Sequence, residues 1–165
     1  MVTRRLRAVV FTDIVGSTAT MQADEAEARR LRRRHREAVD GATERWDGEL
    51  IQYYGDGSLA IFDSAVSAVR SAIEIQREIR RPPGVPLRIG IHVGDVVRDE
   101  DGVFGDAVNV AARLEGLARP VAILVSDKVY DEIKIQGDLE GVSLGPVHLR
   151  NVANPTEVYA IGDPG

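Results

Sequence analysis

Cysteine is absent from the 165 residues, which excludes a disulfide framework and any thiolate metal centre. Only three histidines are present, so zinc is not an expected cofactor and metal chemistry would rest on oxygen ligands. Basic charge is not in excess either. The formal net charge is −5, the wrong sign for a chain built to hold nucleic acid, and no nucleic-acid partner is expected. No apolar run approaches the ~18 residues of a membrane span, and the N-terminus lacks a hydrophobic signal core. A cytoplasmic chain without membrane contact is therefore expected. What is present is 44% hydrophobic content, enough for one buried core, and residues 1–165 read as a single domain.

The most informative stretch is Val9-Val10-Phe11-Thr12-Asp13-Ile14-Val15-Gly16-Ser17-Thr18. It ends an apolar strand on a carboxylate and opens into a small-residue turn. Asp13 at a strand end can hold a hard cation, and Gly16, Ser17 and Thr18 offer backbone N–H groups to phosphate. Downstream, Gly55-Asp56-Gly57 lies between Leu50, Ile51, Tyr53, Tyr54 and Leu59, Ala60, Ile61, Phe62, which predicts a β-hairpin with a carboxylate near its tip. Carboxylates on neighbouring strand ends suit a two-metal phosphoryl-transfer site, because each Mg²⁺ takes one or two protein carboxylates and completes its shell on phosphate.

Between these stretches, Ala28, Leu31, His35, Ala38, Val39, Ala42 and Trp46 recur at helical spacing, with Asp24 as the expected N-cap. The arginines at 29, 30, 32, 33, 34 and 36 share this helix with Asp24, Glu25, Glu27 and Glu37. They read as a solvated face with i,i+4 ion pairs, and His35 as a packed residue. A second helix is expected from Asp63 as its cap, through Val66, Val69, Ala72, Ile73, Gln76 and Ile79, to Pro82-Pro83-Gly84. A strand over Leu87 to Val93 follows, with His92 structural, then a polar loop over Arg98 to Gly102 and a third helix capped by Asp106. The last quarter predicts strands at Val121 to Val125, Val147 to Leu149 and Glu157 to Ile161, with a short helix near Asp127 to Ile133. The order implies an α+β, ferredoxin-like (βαββαβ) fold, an antiparallel-rich sheet with helices packed on one face, extended by C-terminal strands.

On the third helix, Asn109 and Arg113 stand four apart and share a face. An amide that orients a sugar oxygen beside a guanidinium that neutralises a pentavalent phosphorus is a transition-state pair.

Phe11 to Thr18, Gly55-Asp56-Gly57, Arg88-Ile89-Gly90-Ile91-His92-Val93-Gly94 and Phe104 to Glu115 together closely resemble the class III nucleotidyl cyclase catalytic domain, from about Arg7 to Ile161. The resemblance implies a palm-type homodimer with sites shared across the interface. Each would convert a purine nucleoside triphosphate to its 3′,5′-cyclic monophosphate and pyrophosphate, using two divalent cations, Mg²⁺ or Mn²⁺. By position it implies Asp13, Asp56 and the Ile14 carbonyl as metal ligands, and the other subunit's Asn109 and Arg113 as ribose and α-phosphate groups. Arg150 in Leu149-Arg150-Asn151-Val152 fills the place of the family's phosphate-gripping lysine. The base-recognition places, lysine and aspartate in adenylyl cyclases, hold Gln52 and Gly102, a pair intermediate between the adenylyl and guanylyl patterns. ATP ranks first as substrate and GTP second. A catalytically silent nucleotide-binding dimerisation module is the reading from another class, opposed by the presence of Asp13, Asp56, Asn109 and Arg113 together.

Overall fold

The computed structural model describes residues 2–16 and 22–162. The strands are β1 (Thr3–Ile14), β2 (Glu49–Tyr54), β3 (Gly57–Phe62), β4 (Leu87–Asp99), β5 (Gly102–Phe104), β6 (Ile123–Ser126), β7 (Gly141–Val147) and β8 (Thr156–Ile161). The helices are α1 (Glu25–Arg45), α2 (Ala65–Arg80), α3 (Asp106–Leu117) and α4 (Asp127–Ile133). The sheet runs β2-β3-β1-β4-β6-β8-β7, with β5 paired to β4, and only β4 and β6 are parallel.

The central strand β1 is buried on both faces, because consecutive strand residues point to opposite sides. Ala8, Val10 and Ile14 pack with α1, α2 and α4 residues such as Val39, Ile75 and Ile133. Val9 and Phe11 pack instead with Ala107 and Ala111 of α3. The helices thus cover both faces of the sheet, not the single face expected. The alternation in β4 is the cause. Ile89, Ile91 and Val93 fill the first core, while Gly90 brings α3 down onto the second face. A Cβ at Gly90 would lie 2.2 Å from the Glu115 amide nitrogen and 2.6 Å from the Ala111 carbonyl oxygen.

Asp24 caps α1 as expected, accepting from the Glu27 amide at 3.1 Å. The cap of α2 is Ser64, whose hydroxyl accepts from the Ser67 amide; Asp63 pairs instead with Arg5 and Arg7 of β1. Gly105, not Asp106, occupies the N-cap of α3, and Asp106 is the first helical residue. The C-terminal carbonyls of α2 are met by Arg34, which donates to the carbonyls of Glu78 and Arg81 at 3.1 and 3.0 Å.

Three strand boundaries move. β4 runs on to Asp99 and turns back as β5, so the expected polar loop is a hairpin tip. β6 begins at Ile123, because Val121 has φ +74° and lies outside the ladder. The strand expected at Val147 to Leu149 lies earlier, at Gly141–Val147, where exposed Val142 and Leu144 hide the usual inside-outside alternation. No helix among the described residues is long and apolar enough to cross a membrane.

Candidate active site

Asp13 lies opposite Gly57 of β3 and opposite Arg88 of β4. Opposed residues of an antiparallel pair share a face, and Arg88 Nη2 donates to Asp13 Oδ2 at 3.0 Å. Asp56 sits in the β2–β3 turn, and its carbonyl accepts from the Ile14 amide at 3.0 Å. That bond ties the hairpin tip to the end of β1 and brings the two carboxylates together. Burial raises the Asp13 pKa, the Arg88 hydrogen bond and charge oppose the rise, and the Asp56 charge adds to it. Asp56 in turn accepts from Arg32 Nε of α1 at 3.1 Å.

Glu115 of α3 completes this cluster. Its Oε2 lies 3.3 Å from Arg88 Nε, off hydrogen-bonding geometry, and neither of these buried atoms has a hydrogen bond. The contact is therefore a poorly solvated charge pair. Burial, with the Asp13 charge beside it, pushes the Glu115 carboxyl up to about 7 against the pull of Arg88.

Arg113 lies two residues before Glu115, about 200° round the helix, and donates through Nε to the Arg150 carbonyl at 3.2 Å. Asn109, one turn earlier, lines a cavity of about 540 Å³ with His92, Asp106, Lys128 and Asn151. One face of α3 therefore joins the carboxylate cluster while another carries Asn109 and Arg113 toward the segment after Arg150. Gly16 closes the turn after β1, and Ser17 and Thr18 lie outside the described residues. Gln52 is exposed on the edge strand β2. Gly102 opens β5 with φ +138° and nothing within 4 Å of a Cβ built on it.

The arginines of α1 behave differently from the expected ladder. Glu27 pairs with Arg30 three residues on, Arg32 reaches Asp56, and Arg36 stacks 4.7 Å from the Tyr53 ring centroid. His35 is buried as expected, and so is His92. Arg32, Arg88 and Glu115 were not singled out in the sequence. The alternation that puts Arg88 on one face with Gly90 and His92 was visible, but the partner that gives it meaning, Asp13, is 75 residues away.

The donor set suits a hard divalent cation. Among the described residues no group of three or more acidic or histidine side chains is placed to hold a metal ion; the candidate donors are the Asp13 and Asp56 carboxylates and the Ile14 carbonyl. That matches Mg²⁺ or Mn²⁺, which finish their shells on phosphate and water. Each carboxylate meets a guanidinium, Arg88 at Asp13 and Arg32 at Asp56, which balances its charge and which a bound cation would have to displace or share.

A largely antiparallel sheet with paired acidic residues where its central strand meets a hairpin defines a palm-type catalytic domain. The chain belongs to the adenylate and guanylate cyclase catalytic domain family, whose sequence profile matches residues 5–162. It is 33% identical over 135 residues to an adenylate cyclase of Streptomyces coelicolor, covering 81% of this chain and 35% of that one. The crystal structure of an adenylate/guanylate cyclase/hydrolase from Silicibacter pomeroyi superposes with a TM-score of 0.88 at 36% identity, covering 97% of this chain and 98% of that one. The adenylyl cyclase CyaB of P. aeruginosa shares the fold, with a TM-score of 0.89 at 24% identity over 99% and 96% of the two chains. The chain spans between 28% and 40% of the length of the curated relatives it matches.

Proposed function

We propose that this domain converts ATP to 3′,5′-cyclic AMP and pyrophosphate, in a homodimer whose sites are each built from both subunits. The observation that carries the proposal is the division of α3. Glu115 faces the Asp13 cluster through Arg88, whereas Arg113, on the opposite side, faces Arg150. One copy supplies the carboxylates and a second copy supplies Asn109 and Arg113.

In the reaction the ribose 3′-oxygen gives its proton to solvent water and bonds to the α-phosphorus, and the bond from that phosphorus to the bridging oxygen breaks, releasing pyrophosphate. Asp13, Asp56 and the Ile14 carbonyl would hold two divalent cations. When bound, these lower the 3′-hydroxyl pKa and neutralise the departing pyrophosphate. The partner's Asn109 orients the ribose, and the partner's Arg113 neutralises charge gathering on the α-phosphate oxygens. The partner's Arg150, which lies beside the partner's Arg113, and Gly16, Ser17 and Thr18 of the first copy hold the terminal phosphates. Arg88 is also available to phosphate once a cation takes up the charge of Asp13.

GTP is the second reading, favoured by one observation. Gly102 leaves open space where an aspartate would accept from the adenine amine, so the site lacks an acceptor that rejects guanine. The test is incubation with ATP and with GTP in Mn²⁺ or Mg²⁺ and chromatographic identification of the product. Cyclic AMP as the main product is expected. Cyclic GMP from GTP alone selects the second reading, and absence of any cyclic product refutes both.

A further inference from the structure

A second set of polar side chains lies directly behind the carboxylates, on the other face of the sheet. Thr12 precedes Asp13 and therefore points to the α1 side of β1. Its Oγ1 lies 2.7 Å from His35 Nε2 and 2.5 Å from Ser58 Oγ. Thr12 and Ser58 are opposed residues of β1 and β3, and His35 comes from α1, three residues after Arg32. Thr12, His35 and Ser58 are each 1% exposed, so bulk water cannot replace a lost bond.

The alternative to this network would be apolar packing, which the surroundings supply in abundance. Hydroxyls and an imidazole held between two strands and a helix instead fix direction, because a hydrogen bond is angular where an aliphatic contact is not. Burial keeps His35 neutral by pushing its pKa down to about 4, so the ring accepts or donates at Nε2 without carrying charge. α1 thus touches both carboxylate-bearing segments, Asp56 through Arg32 and the backbone beneath Asp13 through His35 and Thr12.

We infer that Thr12, His35 and Ser58 form a positioning brace that sets the spacing of Asp13 and Asp56 and thereby the affinity for the divalent cation. The inference rests on the assignment of those carboxylates as cation ligands in the proposed function. Outer groups that orient metal ligands set metal affinity; here the brace bonds neither carboxylate and acts through the β1 and β3 backbone, next to Asp13 and two residues from Asp56.

The experiment is Mn²⁺ titration of the protein followed by the electron paramagnetic resonance signal of the free ion, with Asp13→Ala as the blank and the melting temperature recorded for every variant. Thr12→Val, isosteric but without the hydroxyl, and His35→Phe are expected to weaken Mn²⁺ binding by about tenfold or more, while Thr12→Ser and His35→Gln stay within about twofold of the parent. KM for the triphosphate at saturating Mn²⁺ is expected to stay near the parent value. Unchanged Mn²⁺ affinity in Thr12→Val overturns the brace, whatever happens to its melting temperature. Should His35→Phe fail to fold, Thr12→Val and Ser58→Ala decide the question in the same titration. A parent protein that binds Mn²⁺ yet forms no cyclic product refutes the proposed function and leaves the brace standing. A parent that binds no more Mn²⁺ than Asp13→Ala overturns the cation assignment and the brace with it.

Discussion

Arg113 and Glu115 are two residues apart on α3 and serve different neighbours: Glu115 Oε2 lies 3.3 Å from Arg88 Nε, beside Asp13, and Arg113 Nε donates to the carbonyl of Arg150. A helix turns about 200° over two residues, so the guanidinium of Arg113 is directed away from the carboxylates of its own chain.

Complementation follows from that geometry. Asp13→Ala and Arg113→Ala homodimers are each expected to be inactive in a cyclase assay. Mixed in equal amounts and allowed to exchange, they should recover about a quarter of parental activity, since half the dimers are mixed and each holds one intact site of two. No recovery on mixing, despite subunit exchange, would refute shared sites.

Arg113→Ala is expected to lower kcat by about 10²–10³ with a much smaller change in KM, the scale for loss of one transition-state charge stabiliser. Steady-state kinetics decide it. A variant with near-parental turnover would remove Arg113 from the mechanism.

Gly90→Ala is expected to destabilise the domain by about 1–3 kcal/mol, because the added methyl meets α3 backbone, which cannot rotate aside. Denaturant unfolding of the variant checks this. An unchanged midpoint would mean that α3 moves more freely against β4 than its packing implies.

Stability should fall on acidification. Burial lowers the pKa of His35 and of His92 from 6.5 to about 4, so stability is fully present above 6.5 and is lost as pH falls toward 4, by on the order of 3 kcal/mol for each histidine. Glu115 acts in the opposite sense. Its pKa is raised from 4.5 to about 7, so its contribution is present below 4.5 and fades as pH rises through 7. Thermal melts from pH 4 to 8 should show a net acid loss, and Glu115→Gln should steepen it. A parent protein equally stable at both ends would contradict the assignment.

Base choice should be weak. With Gln52 and Gly102 at the recognition places, discrimination between ATP and GTP in kcat/KM is expected to be weaker by about 1–3 kcal/mol than in a site that keeps a base-specific hydrogen-bond partner. Competition between the two substrates in one reaction measures the ratio directly. Gly102→Asp should be a poor route to adenine specificity, since φ +138° is backbone that a side chain resists.

Much of this was readable along the chain, because local rules govern it. Helical spacing located α1 and α2, the Gly55-Asp56-Gly57 turn located its hairpin, and the motif set implied the family that the comparisons bear out. The caps fall one residue away from Asp63 and Asp106 because sequence alone does not show which of two adjacent residues takes the non-helical cap backbone; here Ser64 is extended and Gly105 has φ +126°, which favours glycine. Helices on both sheet faces were also missed, since Gly90 reads as a weak strand residue until a helix backbone is found against it.

The one-dimensional pattern determined most of the elements, though not β5 or the place of β7, and which side chains carry charge, because periodicity, turn chemistry and residue type act over a few neighbours. Only the tertiary structure decided how those charges are shared. Arg88 meets Asp13 across 75 residues and Arg32 meets Asp56 across 24, while Thr12 and Asp13, adjacent in the chain, serve opposite faces of the sheet. Strand register and helix docking make those assignments, and both depend on packing free energy summed over the whole core, which no local stretch contains.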